Sequence, residues 1–332
     1  MSSTRMMSPG DSELMISTSG LRKTYRSREG RAVKLVTAVR GVDLAVRSGE
    51  IFGFLGPNGA GKTTTLRMLA TLIEPDGGQV TVAGADLRRE PGEVRRRIGY
   101  VAQGGSTWEA STAREELVLQ ARMYGFRKAD AQRRASDALA AFELSEYADR
   151  KCKTYSGGQR RRVDIALGII HEPQVVFLDE PTSGLDPQSR AHMWNEIRRL
   201  RADGMTVFIT THYLEEADAL CDRIAIIDHG EVVAQGTPAE LKREISGDVV
   251  TVGVRGDHVA AAAQALDAAP YVRQLESLDD GLRLYVAEGA TAVPQIMRAL
   301  DGAMVPLQTV EVHRPSLDDV FLAKTGRSLR EE

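Results

Sequence analysis

The sequence predicts a large α/β domain followed by a small α+β domain, and three observations carry that expectation. A short apolar segment, Ile51 to Leu55, leads through a glycine-rich turn into helical spacing from Lys62 to Leu72, the strand-loop-helix order of a phosphate-binding unit. Two further runs, Val175 to Leu178 and Thr206 to Thr210, are apolar or β-branched and end in polar residues, as buried parallel strands do when their carboxyl ends carry chemistry. Beyond residue 247, strand-like and helix-like periods follow in the order β-α-β-β-α-β. Strands are expected at Val249 to Val254, Val272 to Leu278, Leu282 to Val286 and Leu307 to His313, with helices at His258 to Leu266 and Ala292 to Leu300, which is a ferredoxin-like pattern.

The remaining segments fit around these anchors. Residues 1–13 are rich in Ser and Met without periodicity and read as a disordered leader or a misplaced start before Met15. From Leu14 to Val46, short strands flank a charged, glycine-containing loop over Arg26 to Arg31, an antiparallel β subdomain. Residues 104–160 turn helical and charged, with Leu117, Ala121, Tyr124, Ala138, Ala141 and Phe142 as candidate buried positions of an inserted helical subdomain. Ile224 to Ile227 and Val232 to Ala234 flank Asp228-His229-Gly230-Glu231 as a hairpin. Thr237-Pro238-Ala239-Glu240 combines an N-cap, a first-turn proline and a third-position glutamate, so a helix starts there and closes the first domain, 14–246. The second domain is expected over 247–314. Residues 315–332 form a terminal helix and tail, opened by the capping-box spacing of Ser316 and Asp319.

Composition narrows the functional classes. The 332 residues suffice for two domains, and 42% apolar with 27% charged residues is the balance of a globular protein. A net charge of −3 provides no electrostatic footprint for nucleic acid, and the Arg95-Arg96-Arg97 and Arg160-Arg161-Arg162 runs lack interleaved aromatics, so they read as solvated or interface faces of helices. Cys152 and Cys221 stand far apart, outside any metal or disulfide spacing. No apolar run approaches the roughly 20 residues a membrane-spanning helix needs, so a membrane role must come through a partner.

The motifs carry the chemistry. Gly56-Pro57-Asn58-Gly59-Ala60-Gly61-Lys62-Thr63 matches the P-loop pattern between a predicted strand and a predicted helix, which makes the large domain a P-loop NTPase fold. In that arrangement backbone N–H groups up to Thr64 surround the phosphates, Lys62 reaches the β- and γ-phosphates, and the Thr63 hydroxyl ligates Mg²⁺. A plain structural turn does not need Gly, Lys and Thr at all these offsets. Val175-Val176-Phe177-Leu178-Asp179-Glu180 delivers two carboxylates at a strand end: Asp179 for the Mg²⁺ shell and Glu180 as the base for the attacking water. Alone, such a strand end is more often the start of a loop; the upstream P-loop reverses that weighting.

Tyr155-Ser156-Gly157-Gly158-Gln159, ahead of the Asp-Glu strand, resembles the signature sequence of the ABC ATPase family, with Tyr155 where the family usually has leucine. The resemblance covers residues 15 to 245. It implies that Ser156, Gly157, Gly158 and Gln159 close on ATP held by a second copy, so that each complete site needs two head-to-tail chains. It also implies Tyr25 as the adenine-stacking aromatic, Gln103 as a Q-loop residue that joins the Mg²⁺ sphere and senses the membrane partner, Ser183-Gly184-Leu185-Asp186 as the D-loop, and His212 as the switch histidine at the γ-phosphate. Each of these four is bland alone, a core aromatic, a capped loop or a satisfied histidine; their order around the two strong motifs raises them.

Within that family the chain looks most like the ATP-binding subunits of bacterial daunorubicin-type drug-resistance exporters. The features are Ser-Gly-Gly-Gln followed by three arginines, the stretch from Gly168 to Pro173, the appended domain and the Pro315-Ser316-Leu317-Asp318-Asp319-Val320-Phe321-Leu322 tail. The resemblance implies an ATPase with ATP and Mg²⁺, a separate integral membrane permease, and a place at the cytoplasmic face of a bacterial membrane. Export of a lipid, polysaccharide or peptide is the alternative, and a soluble non-transport ABC ATPase or a non-hydrolysing regulator stands further off, since Glu180 and His212 are both present. The appended domain reads as a dimer-stabilising element rather than a ligand sensor, because no polar cluster in it suggests a pocket.

Overall fold

Extended segments at the start of the chain fold back on each other, and a parallel sheet follows them. The computed structural model describes residues 14–29, 32–245, 247–267 and 269–326; the expected leader and the last residues of the expected tail lie outside these. β1 (Leu14–Glu29) and β2 (Ala32–Arg47) lead into β3 (Ile51–Leu55), α1 (Lys62–Leu69), β4 (Gly77–Val82), β5 (Ala85–Asp86), α2 (Pro91–Arg97) and β6 (Ile98–Val101). Helices α3 (Ala113–Met123) and α4 (Lys128–Ala141) precede α5 (Gly157–Ile169). The alternation then resumes with β7 (Val175–Asp179), α6 (Pro187–Ala202), β8 (Thr206–Thr211), α7 (Leu214–Leu220), β9 (Arg223–Asp228) and β10 (Glu231–Gly236).

Strand order in the central sheet is β10-β9-β3-β8-β7-β6, parallel except for β10. The parallel direction places the carboxyl ends of β3, β8, β7 and β6 on one edge. Every residue of β3, β7 and β8 is buried, which explains their unbroken apolar runs. Phe208 sits among Phe52, Phe54 and Phe177 with ring centroids 5.6–5.7 Å apart, and burying each such ring contributes about 1.5–3 kcal/mol.

The antiparallel sheet runs β2-β1-β4-β5. Its first two strands are longer than expected. Pairing continues from Leu14↔Arg47 to Glu29↔Ala32, so most of the region read as a loop over Arg26 to Arg31 is hairpin ladder, because every paired residue brings a backbone N–H and C=O whatever its side chain. The helical subdomain also differs in its buried face. Leu117, Ala121 and Phe142 are buried as expected, but α4 turns Ala131, Ala135 and Leu139 inward and leaves Ala141 exposed and Ala138 half-buried. The i, i+4, i+8 spacing of Ala131, Ala135 and Leu139 fixes the face. Tyr124 is 40% exposed and stacks flat on His171, centroids 3.7 Å apart.

The chain divides into two compact units between Thr237 and Pro238. The second unit comprises α8 (Pro238–Glu244), β11 (Asp248–Val254), α9 (Val259–Leu266), β12 (Val272–Leu278), β13 (Gly281–Val286), α10 (Gly289–Gly302), β14 (Leu307–His313) and α11 (Leu317–Thr325). Its antiparallel sheet, β12-β13-β11-β14, is the strand order that a β-α-β-β-α-β chain gives in a ferredoxin-like fold. Val250, Val252 and Val254 pack with Leu266, Ile296 and Leu300 of α9 and α10. The opposite face carries Val249 and Tyr285, which meet Leu322 of α11 and Ile245. Tyr285 donates a hydrogen bond to Asp319 Oδ1 at 3.0 Å, and Lys324 pairs with Glu244 at 2.8 Å. The helix expected to close the first domain therefore groups with the second unit, because its partner is the terminal helix α11.

Candidate active site

The turn from β3 into α1 builds a cradle for an anion. α1 has Gly61 as N-cap without a side-chain cap bond, so its first-turn N–H groups are free of side-chain capping and carry the helix's positive end. Gly61 adopts φ 108°, and a Cβ there would stand 2.4 Å from Ala38 O; only glycine closes the loop this tightly. Asn58 and Gly59 form its exposed tip, with Gly56, Pro57 and Ala60 buried beneath. Lys62 Nζ donates to Gly56 O at 2.7 Å and Pro57 O at 3.0 Å and lies 3.5 Å from Glu180 Oε1.

Three further strand ends converge beside this loop. Asp179 Oδ1, at the end of β7, accepts from Thr63 Oγ1 at 3.1 Å and from Thr210 Oγ1 at 2.6 Å. Thr210 Oγ1 in turn accepts from the Glu180 N–H at 3.0 Å. Glu180 Oε2 accepts from Gln103 Nε2 at 2.9 Å, just past β6, and lies 3.1 Å from His212 Nδ1, just past β8. His212 Nδ1 is buried and has no other hydrogen-bond partner among the described residues. Glu180 holds φ 44°, a left-handed conformation unusual for a non-glycine residue and typical of functional sites.

Burial pushes the Glu180 carboxyl up, but His212 and the Lys62 ammonium outweigh it and hold it below the usual carboxylate range. The group is thus ionised at neutral pH, as a general base must be. Thr63, Gln103 and Asp179 present only oxygen and amide donors, with one carboxylate. Mg²⁺ is held in this way when substrate phosphates complete its shell. Among the described residues no group of three or more His, Cys, Asp or Glu side chains is placed to hold a metal ion.

Not every expected residue joins the cluster. Ser156 N-caps α5 in a reciprocal capping box with Gln159, so Ser156, Gly157, Gly158 and Gln159 form an outward helix N-terminus, with Ser156 and Gly157 exposed. Asp186 is engaged as the N-cap of α6, accepting from Ser189 N and Oγ at 2.9 and 2.6 Å. Thr64 lies half-buried in the first turn of α1. Tyr25 is on β1, 39% exposed, with Lys23 Nζ 5.9 Å from its ring centroid.

Three buried residues escaped the sequence reading. Arg161 is 7% exposed and hydrogen-bonded on three sides, so the Arg160-Arg161-Arg162 run is not a solvated or interface face throughout. Burial lowers its pKa, and carbonyl acceptors satisfy it instead of water. Asp164, one turn on, is 3% exposed. Glu216 on α7 accepts from Thr182 Oγ1 at 2.8 Å and Trp194 Nε1 at 3.0 Å, tying the loop after Glu180 to the helix after His212; burial raises its carboxyl pKa. Charged residues inside helices give no spacing signal, and only the charged-in-apolar context of Val163-Asp164-Ile165 could have pointed to Asp164.

Comparison with known proteins gives the same fold and chemistry. Residues 39–183 match the family profile for ABC transporters, and residues 236–325 match the C-terminal domain of DrrA1-3-like ATP-binding proteins. The daunorubicin/doxorubicin resistance ATP-binding protein DrrA of Streptomyces peucetius is 43% identical over 94% of this chain and 92% of its own length. The daunorubicin resistance ATP-binding protein DrrA2 of Streptomyces coeruleorubidus is 44% identical over 87% of this chain and 90% of its own. Among solved structures, a dimeric post-hydrolysis ATP-binding cassette bound to ADP and Pi superposes with a TM-score of 0.61 at 29% identity, covering 67% of this chain and 98% of that one.

Proposed function

We propose, starting from the fact that this chain belongs to the ABC transporter family of ATP-binding proteins, that it powers drug efflux through a separate membrane permease as one of two head-to-tail copies. The observation that carries the reading is the meeting of Lys62, Thr63, Gln103, Asp179, Glu180 and His212 at one sheet edge beside an uncapped helix N-terminus. ATP lies with its phosphates on the Gly56-to-Thr64 loop and Tyr25 toward the adenine. Thr63, Asp179 and Gln103 would hold Mg²⁺, which would supply neutralising charge to the triphosphate.

Glu180 accepts a proton from water as the water oxygen bonds to the γ-phosphorus; the bond from that phosphorus to the β–γ bridging oxygen breaks, and ADP leaves with the electron pair. Lys62 and His212 stabilise the charge spreading over the γ-oxygens. Ser156, Gly157, Gly158, Gln159 and Asp186 act across the dimer, where the exposed N-terminus of α5 turns its positive end toward a second copy's γ-phosphate. The direct test is ATP hydrolysis by the purified chain with magnesium, followed by copurification from native membranes. Absence of turnover both alone and with the recovered membrane protein would sink the reading.

Two further expectations follow. Because burial raises the Glu180 pKa while His212 and Lys62 lower it to a net position below the ordinary carboxylate range, the parent's acid limb of kcat/KM, which reports the free enzyme, should lie below that range. His212→Ala leaves burial less opposed, so the limb should move to higher pH as well as the rate falling; a pH–rate profile with an unmoved limb counts against the contact. No helix among the described residues is long and apolar enough to cross a membrane, so docking must use a surface. A groove of about 320 Å³ beside the Gln103 loop, rimmed by Trp108 and Leu119 at 70% and 61% exposed, has the exposed apolar character of a partner site. The double change Trp108→Glu, Leu119→Glu should release the chain from membranes without changing its thermal unfolding; retention at the parent level would exclude this face.

A further inference from the structure

α5 begins with the signature residues, yet its second and third turns contact the other side of the site. Arg161 donates from Nη1 to Ala102 O at 2.6 Å, from Nη2 to Asp179 O at 2.9 Å and from Nε to Pro181 O at 2.9 Å. Those three carbonyls belong to residues next to Gln103 and on both sides of Glu180. Asp164 Oδ1 accepts from Ser106 N and Oγ at 2.8 and 3.2 Å, and from Thr107 N and Oγ1 at 3.0 and 2.6 Å. Gly105, at φ 74°, lets the loop come this close, since a Cβ there would stand 2.8 Å from Asp164 Oδ2. The loop carrying Gln103 is thus fastened on one side by Arg161 and on the other by Asp164.

We propose that Arg161 and Asp164 are positioning residues for hydrolysis: together they brace the Gln103 loop against the Asp179-Glu180 strand end and so set the 2.9 Å contact between Gln103 and Glu180. This rests on the reading of Glu180 as the base. The planar guanidinium suits the task, because its donors have a fixed mutual geometry. Three bonds from one such group to two separate backbone segments fix the distance between the segments more firmly than a flexible ammonium can. Neither side chain touches the P-loop in any contact described above, so the brace governs the rate of the chemical step and not the capture of nucleotide. It also runs through the helix whose first turn is assigned to the second copy's nucleotide, so the two sites of a dimer share one rigid element.

The test uses the purified full chain. Arg161→Met and Asp164→Ala should lower kcat by roughly 10- to 100-fold, the loss that a misplacement of about 1 Å can cause. KM and the dissociation constant for MgATP should stay at the parent values, and Arg161→Lys should recover part of the rate. Arg160→Met, which removes the same charge from the neighbouring, part-exposed residue, should keep the parent kcat. If Arg161→Met fails to fold, Arg161→Lys and Asp164→Ala carry the same comparison. Parent kcat in the folded brace variants overturns the proposal, and so does a loss of nucleotide affinity in step with the rate. Glu180→Gln, assayed alongside, separates the two ideas: turnover there with slow brace variants refutes the base and leaves the brace, whereas no turnover there with brace variants at the parent rate refutes the brace alone.

Discussion

Glu180→Gln is expected to bind MgATP as tightly as the parent and to hydrolyse it about 100- to 10,000-fold more slowly, the range that a positioned general base contributes. The amide is nearly isosteric, so contacts from Gln103 and the Glu180 backbone bond to Thr210 can persist. What disappears is a carboxylate held ionised by its neighbours. With ATP bound and not consumed, two copies should remain closed on their nucleotides. Size-exclusion chromatography should then show an ATP-dependent dimer that ADP does not support. Parent turnover would remove Glu180 from its role. A dead variant that stays monomeric with ATP would keep the base and reject the head-to-tail arrangement.

Lys62→Met should act at an earlier step. The ammonium is 4% exposed and faces the loop carbonyls and Glu180, so its charge is barely screened by water. Losing charge-assisted hydrogen bonds worth about 1.5–3 kcal/mol should weaken ATP binding about tenfold to a hundredfold. Turnover should fall further, because Glu180 loses a buried cation that helps keep it ionised. Titration with a fluorescent ATP analogue measures the first effect and saturating-ATP assays the second. Unchanged affinity would show that the backbone cradle alone holds the triphosphate.

Most of what the site needs lies in short segments. The P-loop, the Asp179-Glu180 strand end and Ser156-Gly157-Gly158-Gln159 are each contiguous, because each depends on local backbone shape: a glycine turn, a strand terminus and a capped helix start. Their residue types and spacing were therefore readable one stretch at a time. The β-α-β-β-α-β order of the second unit was readable for the same reason, through apolar period. The β1–β2 hairpin is less legible, since the charged run from Arg26 to Arg31 carries no apolar period, and the alanines of α4 offer several equivalent buried faces.

The amino-acid order by itself determined that this is a P-loop ATPase of the ABC type, with Lys62, Thr63, Asp179 and Glu180 in their strand and helix positions. Only the tertiary structure decided that Arg161 and Asp164 lie buried against the Gln103 loop, that Thr210 links Asp179 to Glu180, and that the helix at Pro238 belongs with α11. Backbone-local motifs are written in neighbouring residues. The burial of a charged side chain depends on carbonyls and hydroxyls supplied from distant segments, and these meet only when the sheet order β3-β8-β7-β6 brings the strand ends together.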